Sequence, residues 1–168
     1  MDRTKNKLNY LIFDLDRILY NTDFSFKITQ EQGIEKINLN KLVYPGVFEA
    51  LARWQKKNYF LILFSEGDIK GQLFKLKFSG LGKFFSKDKR FIFENKKEKE
   101  LPKILKKIPK EAKVWLFDDK PSKLKSAKDI NRKIKVVLVC HGPWWKTKIP
   151  GFKPDYKIKN LKELEGIL

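Results

Sequence analysis

An α/β fold built on a parallel sheet is the architecture this sequence predicts. Short apolar runs recur at Tyr10–Phe13, Tyr59–Phe64, Phe91–Phe93, Val114–Phe117 and Val136–Val139. Helix-period patterns lie between several of them. The runs are apolar at successive rather than alternate positions, as in strands buried on both faces, and that is the condition of a parallel sheet covered by helices. The 168 residues suit one domain, taken as 1–168.

The first run, Tyr10–Phe13, ends in Asp14 and Asp16 with one apolar residue between them. In an open α/β sheet, ligands bind beyond the carboxyl ends of the strands. Two carboxylates held together repel each other unless a cation lies between them or one keeps its proton. The pair therefore suits a hard divalent cation, Mg²⁺ above others; a plain turn after a strand accounts for such acids equally well. Residues 17–44 follow, a 28-residue stretch without a clear pattern. That is long for a simple connection. It is expected to pack as a small lid or minimal cap, with Gly33 dividing it.

Val47, Phe48, Leu51 and Trp54 share one helical face, opened by Pro45-Gly46. The run Tyr59–Phe64 ends in Ser65-Glu-Gly-Asp68. A serine between a strand and a helix offers its hydroxyl and nearby N–H groups to a phosphate, or simply caps the helix. Lys96, Lys97 and Lys99 precede a helical pattern of Leu101, Ile104, Leu105 and Ile108. A lysine there would neutralise a nucleophile and a phosphate, or coat a solvated face. Val114–Phe117 ends in Asp118 and Asp119, which suit either a metal or a turn. Pro121 opens a helix to Ile130. After Val136–Val139 come Cys140 and His141, the latter read as a loop or packing residue. Trp144-Trp145 would pack on the sheet edge or stack on a base. Pro154 to Ile158 and Leu161 to Leu164 read as an edge strand and a closing helix.

Composition narrows the classes. One Cys excludes an internal disulfide, and His141 is the one histidine, which disfavours a structural zinc site. A reducing, cytoplasmic setting is expected. No apolar run approaches the roughly 18 residues of a membrane span, and Met1 to Lys7 lacks the apolar stretch of a signal peptide. The net charge is +18 and uneven. Residues 1–68 hold 10 Lys/Arg against 9 Asp/Glu, and residues 69–168 hold 28 against 11. Such a surplus attracts polyanions or phosphorylated substrates, or forms a solvated lysine-rich surface. Lysines outnumber arginines 33 to 5.

Together these residues resemble the haloacid dehalogenase superfamily. Its pattern is a strand ending in Asp-x-Asp, a strand ending in Ser or Thr, a Lys at a helix start, and a strand ending in acids. Here these stand in order as Asp14-Leu-Asp16, Ser65, one of Lys96, Lys97 and Lys99, and Asp118-Asp119. Tyr44-Pro-Gly-Val47 and Phe117-Asp-Asp-Lys-Pro121 are also similar to the family. The resemblance implies a Rossmann-like three-layer sandwich with the Asp14 strand central. It implies that Asp14 is a nucleophile forming an aspartyl-phosphate, and that Asp16 is the general acid and then the base. Mg²⁺ would be held by Asp14, the backbone carbonyl of Asp16, and Asp118, with Asp119 as a further ligand or acceptor. Lys97 fits the family's run-in to Leu101 best of the three lysines. Ser65, Glu66 and Arg17 are expected on the substrate side. Arg17 departs from the family's usual Gly, and Ile18 from its Thr or Val, so Arg17 would narrow the mouth and add positive charge.

The reading expected from the sequence is an Mg²⁺-dependent phosphomonoester phosphatase. Its substrate would be phosphorylated, and the small cap suits a macromolecule such as a nucleic-acid end or phosphoprotein. The alternative is a non-catalytic basic module, nucleic-acid-binding or regulatory, that retains the fold.

Overall fold

Six parallel strands form one sheet: β1 (Asn9–Phe13), β2 (Phe60–Glu66), β3 (Arg90–Phe93), β4 (Lys113–Asp118), β5 (Lys135–Val139) and β6 (Tyr156–Ile158). Their order is β3-β2-β1-β4-β5-β6, which puts β1 in the interior between β2 and β4. The computed structural model describes residues 8–32 and 38–168. Met1 to Lys7 and Gly33 lie outside the described residues.

The helices are α1 (Thr22–Gln32), α2 (Val47–Lys56), α3 (Ile69–Phe78), α4 (Leu101–Leu105) and α5 (Pro121–Ile130). The sheet is buried on both faces, as the unbroken apolar runs require. Leu11, Phe13, Trp115, Phe117, Val137 and Val139 enter one core with Leu51 and Trp54 of α2. The intervening Ile12, Leu116, Val136 and Leu138 enter the other, with Ile104 of α4 and with Leu124 and Ala127 of α5. Alternate residues of each strand thus serve opposite layers. Phe13 and Phe117 stack at 4.4 Å between ring centres, and Trp54 covers both at 5.8 and 6.1 Å.

Two expected helices are shorter than their patterns. The α-helix opened by Leu101 ends at Leu105, although Ile108 is still buried. Pro109 follows, and the residue before a proline is pushed out of the helical region. The closing helix is one 3₁₀ turn, Leu161–Leu164, fixed by an Asn160–Glu163 capping box. Within 17–44, the described residues hold a turn at Arg17–Tyr20, helix α1 and a 3₁₀ turn at Leu39–Leu42. Among the described residues no helix is long and apolar enough to cross a membrane.

Candidate functional site

The register brings the acids together. Phe13 pairs with Leu63 on one side and Phe117 on the other. The next residues along β1 and β4, Asp14 and Asp118, therefore leave the sheet side by side, and Asp14 N–H donates to the Phe117 carbonyl at 3.1 Å. Ser65, the last residue but one of β2, lies at the same edge. Asp14, Asp118 and Asp119 are all buried, and each offers a carboxylate oxygen within 4.8 Å of the others.

Of the three candidate lysines, the structure brings Lys97 into this cluster. Lys96 and Lys99 are exposed, whereas Lys97 is 2% exposed. Its Nζ lies 3.0 Å from Asp14 Oδ1 and 2.8 Å from Asp118 Oδ2, and it donates to the Phe64 carbonyl at 3.2 Å. Burial opposes its charge, but the two aspartates prevail and raise its pKa. One ammonium does not balance three buried carboxylates. Burial pushes Asp14 up to about 6; Lys97 opposes the shift, while Asp118 and Asp16 add to it. Burial pushes Asp119 up to about 7, with Asp118 and Asp14 adding repulsion.

The cluster fits a hard cation. Its donors are three carboxylates at the ends of two adjacent strands, the type Mg²⁺ prefers. Asp119 Oδ2 is buried with no hydrogen-bond partner among the described residues, an arrangement that is costly unless something else satisfies it. Ser65 Oγ is likewise buried without a partner. A phosphate oxygen at the strand ends would satisfy it.

Asp16 stands apart from the three-acid cluster. Its carboxylate is gripped by Lys75 Nζ at 2.6 Å, by Gln72 Nε2 at 2.6 Å and by the Thr22 hydroxyl. Burial would raise its pKa, but Lys75 and these donors hold it below the ordinary carboxylate range. The expected ligand atom was its backbone carbonyl, and the side chain is free of that duty. Gly67, at φ +148°, allows Gln72 its approach, because a Cβ there would lie 2.7 Å from Gln72 Nε2.

Two residues expected on the substrate side have other partners. Arg17, in the left-handed region at φ 63°, forks onto Asp23 at 2.7–3.1 Å, so much of its charge is balanced within the protein. Glu66 Oε2 accepts from the Lys97 backbone N–H at 2.9 Å and from Lys123 Nζ at 2.9 Å, and Lys123 also pairs with Glu98. This clamp fixes the turn that carries Lys97. His141 joins the site indirectly. Its two ring nitrogens lie 2.7 Å from the carbonyls of Arg17 and Lys159, and Tyr44 stacks on its ring at 3.9 Å.

Sequence reasoning missed Thr22, Gln72, Lys75 and the Lys123 clamp. The one signal for Gln72 and Lys75 is their i,i+3 spacing on α3, which aligns them on a face without saying which acid they meet.

The arrangement of strands has counterparts among solved structures. A haloacid dehalogenase-like hydrolase from Burkholderia xenovorans LB400 superposes with a TM-score of 0.78 at 18% identity, over 96% of each chain. The fold is that of the haloacid dehalogenase-like hydrolases. A protein assigned as a phosphatase from Clostridium difficile matches with a TM-score of 0.72 at 16% identity, over 98% of this chain and 100% of that one. YfnB from Bacillus subtilis, assigned as a hydrolase of this type and bound to magnesium, gives 0.71 at 16%, over 97% and 99%. Dehalogenases are also among the matches. No family model and no curated protein matches the sequence.

Proposed function

We propose that this protein is an Mg²⁺-dependent phosphomonoester phosphatase acting through an aspartyl-phosphate on Asp14. The carrying observation is the buried cluster of Asp14, Asp118 and Asp119 with Lys97 bonded to two of them. Asp14, Asp118 and Asp119 would hold the cation. When bound, Mg²⁺ supplies positive charge that screens the repulsion between carboxylate and phosphate and stabilises charge on the transferring group.

The chain's own groups supply the rest. Asp14 forms an O–P bond as the bond from phosphorus to the leaving oxygen breaks. Lys97 lies against the attacking carboxylate and offers positive charge to the phosphoryl oxygens. Ser65 Oγ donates to one of them. Asp16 gives a proton to the leaving oxygen and then takes one from the water that displaces Asp14, so that inorganic phosphate and free Asp14 result. As held by Lys75, Asp16 is ionised at neutral pH and so prepared for the second step. An incoming phosphate favours its protonation for the first by like-charge repulsion.

A dehalogenase reading gains nothing from this site, because displacing a halide needs no metal and leaves the Asp118–Asp119 pair without a purpose. A non-catalytic module would keep three buried, mutually repelling acids at a cost to its own stability.

The test is hydrolysis of a generic aryl phosphate. Activity should require Mg²⁺, disappear with a chelator and return on adding Mg²⁺ back. Asp14→Asn should fall to background. Chelator-insensitive turnover would remove the metal from the mechanism, and full activity in Asp14→Asn would remove the nucleophile.

A further inference from the structure

The loop after β5 leads away from the site as a basic, aromatic track. Lys120 directly follows Asp119 and, with Trp144, lines a cleft of about 370 Å³. That cleft shares Pro121 and Thr147 with a larger groove of about 890 Å³, so the two adjoin. The larger groove is lined by Trp145, Phe152, Lys146, Lys148, Lys153 and Lys157. Trp144 leaves 48% of its surface exposed at the near end. Lys157 and Lys146 lie over the Trp145 ring at 4.6 and 5.4 Å.

None of those four lysines is ion-paired to a carboxylate among the described residues. The one acid lining the groove, Asp155, is already bound to Lys128 at 2.7 Å and Lys135 at 3.3 Å. The groove is therefore positively charged and apolar in patches, and the cleft beside it is lined by Lys120, the residue that follows Asp119.

We infer that this groove binds the single strand of a nucleic-acid end and leads its terminal phosphate to Asp14, a substrate assignment that rests on the phosphatase reading above. An unpaired base has a face to stack on Trp144, while lysines spaced along the groove track successive phosphodiesters. A phosphopeptide with one phosphate and no acidic neighbours leaves most of these cations without a partner, whereas a single strand presents a phosphodiester at every step. Lysine also acts as a point charge rather than a bidentate fork, so recognition here follows the backbone and tolerates any sequence. Duplex ends fit less well, because their bases are not free to stack.

Fluorescence anisotropy with labelled, phosphate-ended oligothymidylate tests this. The unsubstituted protein should bind the single strand more tightly than the matching duplex or a phosphopeptide, with affinity falling as salt rises. Trp144→Ala should weaken binding about tenfold, and Trp144→Phe should restore most of it, which separates stacking from misfolding. Combining Lys146→Gln, Lys148→Gln and Lys153→Gln should make the slope of log affinity against log salt shallower by about 2, three contacts at roughly 0.7 each. No binding at low salt, an unchanged affinity in Trp144→Ala, an unchanged slope in the triple variant, or tighter binding of the phosphopeptide would each overturn the groove's role. Aryl-phosphate hydrolysis by the unsubstituted protein is read separately. Strand binding without hydrolysis would refute the phosphatase reading while leaving the groove's occupant established, and hydrolysis without strand binding would do the reverse.

Discussion

Asp14 and Asp119 hold the clearest consequences at the scale of single residues. Both acids are raised above their ordinary 3.8, to about 6 and about 7, with burial the leading cause. Unfolded, they lose their protons near 3.8; folded, they keep them to higher pH. The folded state therefore binds more protons across that window, and these two groups make stability fall as pH rises through it. Mg²⁺ needs the carboxylates ionised, so its stabilising effect should be small at about pH 5 and grow towards about pH 8. Melting curves with and without Mg²⁺ across that range would show a widening gap in Tm. A gap independent of pH would mean that these acids are not the ligands. The acids were legible in the sequence because each ends an apolar run. The grip of Lys75 and Gln72 on Asp16 was not legible, because it depends on how α3 rotates against the β1 loop, and no pattern within α3 records that.

Elements differ in how plainly their residues announce them. All six strands are legible as apolar runs or, for β6, as a short edge segment, because each central strand is buried on both sides. Helix α2 is equally plain, since Val47, Ala50, Leu51 and Trp54 line one buried face. Helix α1 is not: Phe24 and Phe26 are 44% and 65% exposed, so no apolar stripe marks it. Helix α3 is similar, burying Gln72 and Leu76 while Leu73 and Phe78 remain exposed. Both helices supply donors to Asp16, so the missed grip on Asp16 is carried by elements that sequence reasoning could not define, whereas the missed Lys123 lies on the legible α5. The link between α2 and the site runs through Trp54, which is 1% exposed against Phe13 and Phe117, the residues immediately before Asp14 and Asp118. Trp54→Ala should cost about 3–5 kcal/mol and loosen both strand ends. Denaturant unfolding would measure the loss. A cost below about 1 kcal/mol would show that α2 does not hold these strands in register.

Over the whole molecule, charge and chemistry divide along the chain. The first 68 residues are nearly neutral and supply Asp14, Asp16 and Ser65, whereas the remaining 100 carry 28 Lys/Arg against 11 Asp/Glu. The surplus was visible in composition, but its partial concentration beside Trp144 and Trp145 appears only once β5 and its following loop are placed next to the β4 acids. The single-strand binding predicted for that groove belongs to this scale. So does the central claim, since an aspartyl-phosphate requires the strand ends, the Lys97 turn and the Asp16 grip to act on one phosphorus. The most direct measurement is acid quenching of Asp16→Asn mixed with an activated aryl phosphate and Mg²⁺, followed by mass spectrometry of its peptides. With the nucleophile intact and the base for hydrolysis removed, a phosphoryl group should accumulate on Asp14, and no such adduct should form when Asp14→Asn is added to the same chain. An unlabelled Asp14 peptide, together with turnover that persists in Asp14→Asn, would contradict the account.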